Sequence, residues 1–117
     1  MRIEIRGRNL EVDDELRSLV TKRFSRVGQQ VSEFATLEVD LFEERNPSIS
    51  DDQVAEGTLR LKGVTLHARE ASPEMAHSIH ELAEDIRRQV KKHRDKRRKR
   101  SQTRRLVNRI RGRAAES

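Results

Sequence analysis

The chain contains no cysteine, no tryptophan and no tyrosine, and only three phenylalanines and two prolines among its 117 residues. Without thiols, neither disulfides nor thiolate metal sites can support the fold, and the redox compartment stays open. The shortage of aromatics argues against a sheet platform that reads single-stranded RNA through stacked rings at alternate positions. Long apolar runs are also missing. The opening MRIEIRG alternates apolar and polar residues, so neither an ordinary signal peptide nor a membrane span is expected, and the default location is cytoplasmic. The five glycines are scattered and form no phosphate-binding loop, and Ser72 has no nearby base in a nucleophile-elbow setting. The reading is therefore a non-enzyme with no cofactor and no small-molecule substrate.

What the chain has in excess is positive charge at one end. Lys91 to Arg113 holds thirteen Lys or Arg residues and one acid, Asp95, whereas residues 1 to 90 hold thirteen basic and eighteen acidic residues. A mildly acidic body with a strongly basic end points to a polyanionic partner, and a solvated tail is the bland alternative. With 32% hydrophobic residues, a compact core must come from the first ninety positions of a single small domain.

The periodicity predicts the order β-α-β-β-β-α. RIEIRG places Ile3 and Ile5 on one side of a short strand. Leu16, Val20, Phe24 and Val27 then form one helical stripe, with Asp13 as N-cap and Gly28 as the left-handed residue that ends the helix. ATLEVDLF alternates as a half-buried strand, and the following loop is punctuated by Pro47. VAEGTLRLKGVTLHARE reads as a hairpin around Lys62-Gly63, with Ala55, Leu59 and Leu61 facing inward opposite Val64, Leu66 and Ala68. Ser72 is the expected N-cap of the second helix and Pro73 its first residue, followed by the stripe Met75, Ile79, Leu82, Ile86 and Val90. Two helices on one face of a four-stranded sheet make a two-layer α+β sandwich, similar in order to a double-stranded-RNA-binding domain (dsRBD-like) with an added first strand. The other sheet face is expected to carry Glu38, Asp40, Glu56, Arg60, His67 and Arg69.

The second helix outlasts its apolar stripe. His93 and Arg97 continue the direction that Val90 ends, and no break is expected before Ser101. The chain thus divides into an α+β body, residues 1–93, and a basic helical extension and tail, residues 94–117. Cations in the last turns suit the helix dipole, but that accounts for one or two of them, not thirteen. His77, His80, Glu81 and Glu84 share one helical face, yet the spacing is not a zincin pattern and exposed polar residues are the simpler account, so no metal is expected. Recognition of folded RNA through phosphates and shape fits this composition.

Two stretches carry a family resemblance that spans about residues 1 to 94. IRGRNLEVDDELRSLVTKRFSRV resembles the opening strand, link and first helix of the ribosome hibernation-promoting factors, also called ribosome-associated inhibitors. GVTLHAREASPEMAHSIHELAEDIRRQVKKH is similar to their second-helix signature, with Met75, Ile79, Leu82, Arg88, Gln89 and Lys92 matching as they stand. Glu74 stands for the usual Asp, Ala76 for Tyr, Asp85 for Lys and Arg87 for Glu. The resemblance implies binding to the small ribosomal subunit and its rRNA near the decoding site, in competition with tRNA and mRNA, so that translation stops and idle ribosomes are preserved. It implies contacts from Arg17, Arg23, Arg26, Arg88 and Lys92, and charge alone adds Lys22, Arg87 and Lys91 on the same helices. On the extension, Arg94, Lys96, Arg97 and Arg98 are taken as further RNA contacts. Some long relatives pair ribosomes through a C-terminal domain. Only AAES follows Arg113 here, so a short form, or a piece of a long one, is expected. A general nucleoid-type nucleic-acid-binding protein is the alternative, and a protein-interaction module with KHRDKRRKR as an address is a third reading.

Overall fold

A computed structural model describes residues 1–46 and 48–116, with side chains through Arg100 and at Gln102. Pro47, expected to punctuate a loop, lies outside the described residues, as do the side chains of the last arginines from Arg104 onward. The strands are β1 (Arg2–Arg8), β2 (Thr36–Glu43), β3 (Gln53–Leu61) and β4 (Val64–Ser72). The helices are α1 (Asp14–Arg23), α2 (Ser25–Gln30) and α3 (Met75–Glu116). One sheet forms in the order β1-β2-β3-β4, with β1 and β2 parallel and the other pairs antiparallel. The parallel pair requires a crossover, which α1 and α2 supply. The β3–β4 hairpin closes through Lys62 and Gly63, and Gly63 takes a positive φ of 82°, a conformation glycine adopts without steric cost.

The register explains the two faces. Ile3, Leu37, Leu59 and Leu66 lie in one row across the four strands, and Ile5, Val39, Gly57 and Ala68 in the next. These rows meet Val20, Phe24 and Val27 from α1–α2, and Ile79, Leu82, Ala83, Ile86 and Val90 from α3, in a single core. All helices therefore cover one face, and the architecture is the expected two-layer α+β sandwich. Gly57 sets how closely α3 approaches. A Cβ there would stand 3.3 Å from Leu82 Cδ2, so the missing side chain is the seat of Leu82. Nearby, the buried Ser78 hydroxyl donates to the Gln53 carbonyl at 2.6 Å and shares a 2.7 Å hydrogen bond with Ser72 Oγ, tying the start of α3 to β3 and β4.

Four local expectations are corrected. The first helix is two helices, because Phe24 breaks the regular geometry at φ −91°, ψ 4° while its ring is fully buried. Asp13 does cap α1, accepting the Leu16 N–H at 2.8 Å. Gly28 does not end the segment. It sits inside α2, which runs on to Gln30 and stops where Val31 turns extended. Ser72 belongs to β4 rather than to a helix cap position. Its Oγ accepts the Glu74 N–H at 3.3 Å, and α3 begins at Met75. Finally, Ser101 does not interrupt α3, which continues to Glu116. A single Ser costs a helix only a fraction of a kcal/mol, about 0.5, and the flanking Arg, Lys and Gln are good helix formers.

At 1.5 Å per residue α3 is roughly 63 Å long, which accounts for the 72 Å long axis of a molecule otherwise 30 by 17 Å. Val90 is its last fully buried residue among those whose side chains are described.

If Leu82 in its Gly57 seat holds α3 to the sheet, Leu82→Ala should cost about 2–5 kcal/mol, and Gly57→Val about 1–3 kcal/mol by overpacking. Urea unfolding followed by circular dichroism measures both, and wild-type midpoints for the two variants would disprove the seat.

Candidate nucleic-acid interface

The two faces of the molecule treat charge differently. On the open sheet face, successive rows hold Arg2, Thr36, Arg60 and Thr65, then Glu4, Glu38, Thr58 and His67, then Arg6, Asp40, Glu56 and Arg69. Pairing along and across strands neutralises much of this. Arg60 meets Glu38 at 3.4 Å, Arg69 meets Glu56 at 3.1 Å, and Arg2 meets Glu4 at 3.5 Å. The row at the far end, Arg8, Phe42, Val54 and Ala71, is apolar in its middle. Arg8 lies 4.4 Å from the centre of the Phe42 ring and Arg69 5.5 Å from it.

The helix layer is basic instead. Arg88, Lys91, Lys92, Lys96 and Lys99 border one shallow depression on α3, with Asp95 as its only acid. Four of the residues singled out from the sequence are thus brought together, because positions three and four apart share a helix face. The first of them stand where Ile86 and Val90 still anchor the backbone. Arg87 points elsewhere and pairs with Glu84 at 3.2 Å. Arg17, Lys22, Arg23 and Arg26 are exposed on α1 and α2, in the same layer as α3 but with no described contact to its stripe. Arg98 is exposed on the projecting part of α3.

Arg94 and Arg97 turn to a second feature. Together with His93 and Val90 they line a groove of about 710 Å³ between α3 and the end of the sheet. Its other walls are Gln30, Val31, Ser32, Phe34, Ala35 and Thr36, together with Arg60, Leu61 and Lys62. Phe34 is 86% exposed. Its turn is held by the Phe34 N–H on Ser32 Oγ at 3.1 Å and the Ala35 N–H on the Ser32 carbonyl at 3.0 Å. Sequence reading passed over Phe34, Arg60, Lys62 and His93 as parts of one site. The available signal was an aromatic in a short polar turn, outside any apolar stripe.

Near the top of the α3 stripe, Glu70 on β4 faces the helix. Partial burial pushes its carboxyl above the usual range, a hydrogen bond with Asp85 and the charges of Asp85 and Glu81 push the same way, and Arg88 opposes them. Gln89 ties this corner together, donating to Asp85 Oδ1 at 3.1 Å and to the His67 carbonyl at 2.9 Å. On the early turns of α3, His77 Nε2 lies 3.9 Å from Glu81 Oε1.

Comparison with known proteins adds independent information. The profile of the family described as Sigma 54 modulation protein / S30EA ribosomal protein matches residues 3–98. The chain is similar to the ribosome hibernation promoting factor of Salmonella typhimurium, with 31% identity over 96 residues, covering 82% of this chain and 96% of that protein. The factor of the same name from Acinetobacter guillouiae is 27% identical over 99 residues, covering 80% of this chain and 88% of its own. Among solved structures, the N-terminal domain of Thermus thermophilus Protein Y shares the fold at a TM-score of 0.69 and 24% identity, covering 80% of this chain and 99% of that one.

The upward-shifted carboxyl of Glu70 yields a pH dependence. An acid whose folded pKa is raised favours the protonated folded form, so its contribution is present below the ordinary value of 4.5 and is lost as pH rises through the folded value. Glu70→Gln should therefore raise the melting temperature at neutral pH, and the gain should vanish at and below pH 4.5. Thermal melts across that range check it. A variant less stable than wild type at neutral pH would contradict the assigned cause.

Proposed function

The chain belongs to the Sigma 54 modulation protein / S30EA ribosomal protein family, and on that premise we propose that it is a ribosome-associated hibernation factor. It binds the small subunit near the decoding site, blocks mRNA and tRNA, and preserves idle ribosomes in the cytoplasm. The observation that carries this reading is the α3 stripe of Arg88, Lys91, Lys92, Lys96 and Lys99. Its upper end is fixed over the core while the opposite sheet face pairs its charges off. Cations at fixed spacing match one arrangement of phosphates and can select an RNA shape, whereas cations on an unanchored helix raise affinity for any polyanion. The function requires occupancy and no chemistry at a bond. Among the described residues no helix is long and apolar enough to cross a membrane.

Labour is divided between the body, residues 1–93, and the extension, residues 94–117. The body supplies specificity through Arg88, Lys91 and Lys92, with Arg17, Lys22, Arg23 and Arg26 as neighbouring contacts. The extension, with Lys96 and Arg98 beyond the core, supplies general attraction, while its Arg94 and Arg97 face the groove beside Phe34. That second contribution is also what a nucleoid-type protein would use, so the experiment must separate the two.

Co-sedimentation with small subunits in a sucrose gradient is the primary test, and recovery only at the top of a low-salt gradient would reject the proposal. If about six phosphates are neutralised, affinity should fall roughly a thousandfold between about 50 and 200 mM salt. Truncation after His93 should weaken binding yet leave tRNA competition intact at saturating protein. Replacing Arg88, Lys91 and Lys92 by Ala should abolish that competition while binding to an unrelated duplex survives. A truncated protein that never inhibits, beside a triple variant that inhibits normally, would move specificity to the extension and favour the nucleoid-type reading.

A further inference from the structure

The groove at the end of the sheet has features that a phosphate-binding stripe does not need. Phe34 is a large ring at 86% exposure, on a turn whose backbone is pinned from Ser32 by two hydrogen bonds. An apolar ring held open to water forgoes the burial that most phenylalanines obtain, and its rigid turn means little freedom is lost on binding. Around it stand Arg60, Lys62, Arg94 and Arg97, and no carboxylate is among the described residues that line the groove. Gln30 Oε1 and Arg94 Nε are buried without a partner among the described residues, so both side chains gain by turning onto a polar ligand.

From this combination we infer that the groove takes one unpaired RNA base, stacked on Phe34, with its flanking phosphates on Arg94, Arg97 and Lys62. The ring needs a flat partner, the cations need an anion, and the unpartnered amide oxygen and guanidinium nitrogen need a group that both donates and accepts. Every nucleobase edge does both, so the contact is indifferent to base identity. A paired base offers no free face, since its neighbours in the duplex cover it. The groove thus lets the protein distinguish RNA with an extruded nucleotide from plain duplex, which the α3 stripe alone cannot do. This inference rests on the RNA-binding reading above and narrows it to a class of RNA.

The test uses the full chain and two RNA hairpins, identical except that one carries a single bulged adenosine. Wild type should bind the bulged hairpin more tightly. Phe34→Ala should lose about 5- to 140-fold on it, the ~1–3 kcal/mol of a stacked base at 1.4 kcal/mol per decade, with no change on the paired hairpin. Phe34→Leu, which keeps an apolar side chain without a ring face, should lose nearly as much. Because the ring is exposed, both variants should keep the wild-type melting temperature. Equal binding of the two hairpins by wild type, or equal losses on both by Phe34→Ala, overturns the inference. So does a Phe34→Ala protein that binds both hairpins normally yet no longer sediments with small subunits, because the ring would then face a protein. Wild type that sediments with small subunits but ignores the bulge defeats this inference alone. Wild type that fails to sediment defeats the functional proposal itself.

Discussion

The seating of Leu82 over Gly57 is the contact on which the rest of the molecule depends. β3 and β4 place Gly57 beside Ala68, and the absent side chain of one and the small methyl of the other let α3 lie close against the sheet. Ile79, Ile86 and Val90 follow on the same stripe, and the buried Ser78 hydroxyl fixes the helix start to the Gln53 carbonyl. With its beginning tied and its middle seated, α3 leaves the body in one direction. That direction decides which cations ride above the core, which line the groove beside Phe34, and which stand clear in solvent.

Charge is then partitioned by the geometry of the two layers. Opposed residues on neighbouring strands lie about 4.5–5.5 Å apart and diagonal ones about 7–8 Å, both within reach of long side chains; Glu56 pairs with the opposed Arg69 and Glu38 with the diagonal Arg60. On α3, Arg88, Lys92 and Lys96 repeat at four-residue spacing, where like charges repel and destabilise a helix. The apolar stripe beneath the first of them offsets that repulsion. A bound polyanion would relieve it, which is why the proposed phosphate contacts are put on this stripe.

The sequence was most legible where a short period carries the information. Alternation assigned Leu37, Val39, Leu41, Leu59 and Leu66 to the covered face, and the register bears each of them out. Glu38, Asp40, Glu56, Arg60, His67 and Arg69 fall on the open face as expected. Errors arose where local signals were read as stops. Gly28 favours a helix end by its own freedom, yet Val27 is buried against the core and the segment continues past both. Ser72 has the right chemistry for a cap, but the β4 ladder reaches it first and pairs it with Gln53. Phe24 kept its place in the stripe although the helix breaks at it, because burial of the ring outweighs the regularity of one turn.

By itself, then, the sequence determined the order of the elements, the face each strand turns to the core and the gathering of positive charge at one end. Periods of two and 3.6, and charge, are properties of neighbouring residues. Only the tertiary structure decided which cations lie together. Arg87 and Arg88 are adjacent, yet one pairs with Glu84 and the other joins the stripe above the core. Phe34, Arg60, Lys62, His93 and Arg94 come from three separate stretches of the chain and line one groove. Which residues meet across such distances is set by how α3 crosses the sheet, and that crossing is fixed by Leu82 and Gly57, residues far apart in the chain.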